Sequence, residues 1–141
     1  EESACFTVDG IGYPLADGGF NAALRDYARF GQMLCNRGVA NGRKIVPSEW
    51  INGTLDADRS LFGEPYNSGF ENGAYRNQFW IRDVRRQVIM ARGVFGQLIY
   101  VDMDNNLVVT RLASWPEVLS LERKLDDLAV IDAITEQLKG E

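Results

Sequence analysis

The chain has 141 residues, 45% hydrophobic and 25% charged, with Gly 14 and Pro 4; this suits one domain of about 100–150 residues and excludes disordered or collagen-like chains. Lys+Arg 15 against Asp+Glu 20 gives a net charge of −5, and the basic residues are scattered apart from Arg85-Arg86, so no electrostatic footprint for nucleic acid exists. Histidine is absent, which removes Ser-His-Asp and Cys-His catalysis, histidine metal sites and histidine pH switches from these residues.

Residues 1–20 are polar and Gly-rich and read as an irregular lead-in. Asn21 is expected to cap a helix in which Leu24, Tyr27, Ala28, Gly31, Leu34 and Cys35 recur at helical spacing, with Arg25, Asp26, Arg29 and Gln32 on the other side. Asn36-Arg37-Gly38 ends it. Asn41-Gly42 signals a turn, and Ile45-Val46-Pro47 reads as an extended piece running into a short helix capped by Ser48. Residues 53–74 carry Gly, Pro, Asn and Asp without a sustained period and form a long loop.

Strands are predicted at Tyr75–Arg82, Gln87–Ala91, Gln97–Met103 and Leu107–Leu112, with turns at Asp83–Arg86 and Asp104-Asn105-Asn106 favouring antiparallel hairpins. After Trp115-Pro116, the residues Leu121, Leu125, Leu128, Ile131, Ile134 and Leu138 draw an apolar stripe down a final helix of about five turns. The fold class is α+β: an antiparallel sheet of three to four strands packed against a C-terminal helix, with additional helices from the N-terminal half.

Cys5 and Cys35 have no CxxC spacing, which excludes the usual all-cysteine zinc and iron–sulfur patterns. They either pair as one disulfide or act as partly buried thiols. No apolar run approaches the roughly 18–20 residues of a membrane span, and Glu1-Glu2 is the opposite of a signal peptide's basic end. Asp102-Met103-Asp104-Asn105-Asn106 begins like a calcium loop, but Leu107 replaces the required Gly and Ala113 the bidentate Glu, so a hairpin turn is the better reading. Asp126-Asp127 and the pair Asp56 and Asp58 read as solvated carboxylates. Tyr75-Arg76-Asn77 fits the Tyr-x-Asn pattern of some acyl-transfer enzymes, yet it lies only 16 positions before Ala91.

The glycine-bearing stretch Ala91-Arg92-Gly93-Val94-Phe95-Gly96-Gln97 is more informative. Glycine weakens a strand, so Gly93 and Gly96 suggest close approach of another backbone or a ligand, and an unpaired N–H there could donate to an oxyanion. A bulge or a tight packing site explains the glycines equally well.

Residues Asp17–Gln32, followed by Asn41–Pro47, look like the corresponding stretch of the serine β-lactamase-like superfamily. The branch is that of class C β-lactamases, penicillin-binding esterases and 6-aminohexanoate-dimer hydrolases. Gly93–Asp102 and Val108–Trp115 resemble the two closing strands of the same proteins, so the resemblance spans nearly the whole chain. The family's nucleophile lies in a Ser-x-x-Lys motif, and none of the serines here has Lys three positions later. The resemblance therefore implies one segment over 1–141: the C-terminal part of a longer hydrolase domain, without the part that carries the nucleophile.

The family's Lys/His-Thr/Ser-Gly motif aligns best with Ala91-Arg92-Gly93, where only the Gly is kept. This favours an ester or a linear amide over a β-lactam as the small-molecule substrate. By resemblance, the N–H of Val94 is one of two oxyanion donors, Gly93 and Gly96 allow close approach, and Arg92 contacts an acidic substrate group. No cofactor is implied, and the isolated chain is expected to be inert. The alternative is a non-catalytic binding or assembly module on the same fold, in which an uncovered sheet edge pairs with a second copy or with the missing N-terminal segment.

Overall fold

The computed structural model describes residues 2–16 and 18–140. A five-stranded antiparallel sheet runs as a meander in chain order. Two small hairpins precede it: β1 (Cys5–Phe6) with β2 (Phe20–Asn21), and β3 (Val39–Ala40) with β4 (Arg43–Lys44). The sheet strands are β5 (Ala74–Arg76), β6 (Phe79–Ile81), β7 (Val88–Arg92), β8 (Leu98–Asp102) and β9 (Leu107–Arg111). The helices are α1 (Leu24–Cys35), α2 (Ser48–Leu55) and α3 (Leu121–Lys139).

The apolar runs of β7 and β8 do not alternate with polar residues because both faces of the sheet are covered. Ile89, Ile99 and Val101 pack with Met33, Leu34 and Cys35 of α1 and with Ile51 of α2. Val88, Met90, Leu98 and Tyr100 point the other way, onto Leu128 and Ile131 of α3 and onto Phe70. The final helix thus covers one face, as expected, and α1 supplies a third layer on the other. The approach of α1 is close: a Cβ on Gly31 would lie 2.6 Å from Val108 Cγ1 and 3.0 Å from Ile99 Cγ2.

Several local expectations change for identifiable reasons. Asn21 does not cap α1: its side-chain amide donates to the Gly19 carbonyl at 2.8 Å, and the helix starts after Ala23 without a side-chain cap. Ser48 is the first helical residue behind Pro47, and it caps nothing. The strand expected over Tyr75–Arg82 is a hairpin, because Asn77 (φ 53) and Gln78 (φ 68) both take the left-handed conformation of a two-residue turn.

Asn41 (φ 50) and Gly42 (φ 72) do the same in the β3–β4 hairpin. The long loop contains a 3-10 turn at Arg59–Leu61 and sinks Phe70 into the α3-side core at 2% exposure. On α3 the buried positions are Lys124, Leu128, Ile131 and Thr135, while Leu121, Leu125, Ile134 and Leu138 stay exposed. Both cysteines are free, Cys5 exposed and Cys35 buried.

Candidate functional site

The ladder between β7 and β8 ends at the pair Arg92 and Leu98, and the Gly93 N–H closes it on the Gln97 carbonyl at 3.0 Å. What looked in the sequence like a glycine-bearing strand is a tight turn, with Phe95 at φ 55, ψ 22 and Gly96 at φ 89. A bulky residue in this region is strained and needs its surroundings to hold it. The segment before α3 does so: Phe95 N–H donates to the Val118 carbonyl at 3.0 Å, and Trp115 N–H donates to the Phe95 carbonyl at 3.1 Å.

Arg111 Nε donates to the Gly96 carbonyl at 3.0 Å, and the Gln97 side chain bonds both the carbonyl and the N–H of Ala113. Held in this way, the turn leaves the N–H of Val94 without an acceptor among the described residues.

Two cavities meet at the turn. The smaller, about 320 Å³, is bordered by Arg92, Gly93, Val94 and Gly96, by the rings of Trp80 and Trp115, and by Lys124 and Asp127 of α3. The wider, about 910 Å³, lies toward Tyr27, Ala91 and Ile99 on the α1 side and also touches Gly93, Arg92 and Tyr75. Gly93 and Arg92 therefore border both spaces. Gly96 is occupied by the protein itself, since a Cβ there would sit 2.5 Å from the Trp115 ring.

The charges around the smaller cavity are mostly positive. Arg111 pairs with Asp127 and lies over the Trp115 ring at 4.9 Å. The Arg92 guanidinium lies near the rings of Phe70 (5.7 Å) and Trp80 (5.8 Å) and makes no hydrogen bond or ion pair among the described residues. Burial pulls its pKa down, with Asp127 opposing and Arg111 adding to the effect. Lys124 donates to the Ser68 carbonyl at 2.6 Å and sits 3.7 Å from the Phe70 ring centre. Burial first, and the Arg92 charge second, lower its pKa to about 8.

Other candidates have structural employment. Asp102, fully buried, accepts from Arg86, from the Asn105 side chain and from the N–H groups of Asp104 and Asn105, so it staples the hairpin turn. Among the described residues no group of carboxylates or thiols could hold a metal ion. Tyr75 bonds Gln78 and Asn77 bonds Thr54, within the hairpin and against α2. Asp56, Asp58 and Asp126 are exposed. Among the described residues no helix is long and apolar enough to cross a membrane. Sequence reasoning missed Lys124, Trp80 and Trp115 as cavity residues, because only the packing of α3 and the 113–118 segment on the sheet brings them to Arg92.

No family model matches the chain. It is 32% identical over 119 residues to the 6-aminohexanoate-dimer hydrolase of Paenarthrobacter ureafaciens, a match that covers 83% of the chain and 30% of the relative. A solved structure from Bacillus anthracis, assigned as a 6-aminohexanoate-dimer hydrolase, superposes with a TM-score of 0.81 at 28% identity, covering 97% of this chain and 34% of that one. The chain thus spans about a third of the length of these relatives. In sequence and in fold the chain is similar to the 6-aminohexanoate-dimer hydrolases, which supports its resemblance to a C-terminal part of a β-lactamase-like protein.

Proposed function

We propose that this segment supplies the oxyanion wall of an acyl-transfer site whose nucleophile lies in polypeptide outside these residues. The observation that carries the reading is Val94, which lines the cavity and whose N–H has no acceptor among the described residues. A serine oxygen from the missing part attacks the carbonyl carbon of an ester or linear amide. The carbonyl oxygen gains the negative charge, and the Val94 N–H donates to it together with the serine's own N–H. The C–O or C–N bond then breaks, a proton passes to the leaving alcohol or amine, and water releases the acid from the acyl-enzyme. No cofactor takes part. The name of the Paenarthrobacter relative supports an amide rather than an ester as the substrate.

Substituting Val94→Pro in the whole protein tests this. Proline removes the donor, and Gly93 before it is already extended (ψ 172), as a residue preceding proline must be. Loss of one oxyanion donor lowers kcat about 10²–10³-fold. An unchanged kcat overturns the assignment of Val94. The chain alone is expected to leave a chromogenic ester at its background rate; robust turnover would show that no outside serine is needed.

A second reading, an assembly module, is favoured by the outer edge of β9, which pairs with no strand among the described residues. Such an edge recruits a further strand, from a second copy or from the missing segment. Sedimentation that gives a monodisperse, salt-stable monomer counts against it.

A further inference from the structure

We propose that Lys124 is a site of covalent modification, whose Nζ takes up carbon dioxide as a carbamate inside the cavity walled by α3 and the ends of β7 and β9. The inference stands apart from the acyl-transfer reading, since it concerns a change in this chain's own side chain and needs no substrate.

The first argument is the seat of the amine. Lys124 lies in the second turn of α3, and it is turned inward at 9% exposure while its neighbours Leu121 and Leu125 are exposed. Its Nζ donates to the Ser68 carbonyl at 2.6 Å and rests 3.7 Å from the Phe70 ring centre; no other acceptor meets it among the described residues. An ammonium so thinly compensated is disfavoured against the neutral amine, and burial has already lowered its pKa to about 8. The neutral amine carries the lone pair of a nucleophile.

The second argument is the charge around it. Arg92 reaches the same cavity from β7 and makes no hydrogen bond or ion pair among the described residues, while Arg111 from β9 is engaged by Asp127, the one carboxylate in the lining. Conversion of Lys124 from a cation to an anion removes its repulsion with Arg92 and supplies a counter-charge to the unpaired guanidinium. The carbamate nitrogen keeps one hydrogen, so the bond to the Ser68 carbonyl survives.

The third argument is access. A cavity of about 320 Å³ borders the amine, and carbon dioxide is a small uncharged molecule that enters such a space without leaving a hydration shell behind. The Nζ lone pair forms the N–C bond, one C=O π pair moves onto oxygen, and a proton leaves Nζ for water. Counted from the ammonium, two protons are released.

The test uses the 141-residue chain with lysines labelled with ¹⁵N and Lys44→Met and Lys139→Met introduced, so that Lys124 is the only lysine left. Both replaced lysines are exposed. In ¹³C-bicarbonate near pH 8, a ¹³C carbamate resonance split by ¹⁵N is expected; the unlabelled amino terminus can give only an unsplit one. It should saturate with bicarbonate, vanish in urea, and need about tenfold more bicarbonate in Arg92→Met, which lacks the charge-assisted partner. Bicarbonate should also raise Tm above that in chloride of equal ionic strength. The proposal is overturned by absence of the split resonance, by its persistence in urea, or by an equally strong one from Lys44 and Lys139 in a labelled Lys124→Met chain. Unchanged uptake in Arg92→Met overturns the charge argument. The double variant keeps Lys124 in place, so the result is readable even where Lys124→Met fails to fold.

Discussion

The indole of Trp115 rests on the bare Cα of Gly96: a Cβ there would meet three ring atoms at 2.5–2.7 Å. Gly96 also has φ +89, a backbone conformation that side chains resist. Gly96→Ala therefore carries a backbone penalty and a packing penalty together, about 2–4 kcal/mol in all. Urea denaturation of the chain measures it. In the whole protein the displaced turn also lowers kcat, by moving the Val94 N–H.

The buried ammonium of Lys124 predicts a pH dependence. Its pKa is lowered to about 8 in the folded state, chiefly by burial, whereas the unfolded chain titrates near the ordinary lysine value of about 10.4. Between these two values the unfolded state binds more protons, so this residue's contribution to stability rises as pH climbs through 8. Comparison with Lys124→Met isolates the effect. The difference in urea midpoint between wild type and variant is expected to move in favour of wild type from pH 7 to pH 9.5; a flat difference refutes the buried charge.

Close contact between α1 and the sheet makes Gly31→Ala unfavourable despite alanine's better helix propensity, worth about 1 kcal/mol. The new Cβ would lie 2.6 Å from Val108 Cγ1, a short branched side chain with little freedom to yield. A net loss of about 1–2 kcal/mol is expected. The double variant Gly31→Ala with Val108→Ala should lose less than the two single changes added together, measured by thermal or urea unfolding.

Removing the carboxylate of Asp102 strands the Arg86 guanidinium and two backbone N–H groups around a fully buried site. Asp102→Ala is expected to cost about 3–5 kcal/mol, and Asp102→Asn, which keeps one acceptor oxygen, clearly less. Calcium should change the melting of neither, since Leu107 and Ala113 break the calcium-loop pattern and the Asp102 oxygens are engaged by Arg86, Asn105 and two backbone N–H groups.

The sequence exposed the periodic elements and concealed whatever depends on a single residue's conformation or on distant packing. Residues 24–35 were legible because Leu34 and Cys35 repeat the spacing of Tyr27 and Gly31 on one face. The hairpin at Asn77-Gln78 was not, because glutamine rarely takes a positive φ and carries no turn signal. On α3, counting apolar residues put the buried stripe partly on the wrong side. Thr135 goes inside by bonding the Ile131 carbonyl, and Lys124 by bonding Ser68.

The proposal for Val94 comes from the resemblance and from the glycines beside it. Lys124 and Trp115 lie far along the chain from Arg92, and nothing local in their neighbourhoods points to a shared cavity.

Arg111 is both the last residue of β9 and the side chain that grips the Gly96 carbonyl and Asp127. That guanidinium, together with the Gln97 bonds to Ala113, ties the outermost strand to the corner of backbone beside Val94. On the proposed acyl-transfer reading, a strand that completes the sheet at this edge would lie directly beside the residue that steadies the oxyanion turn, so that assembly and chemical competence would meet at one side chain.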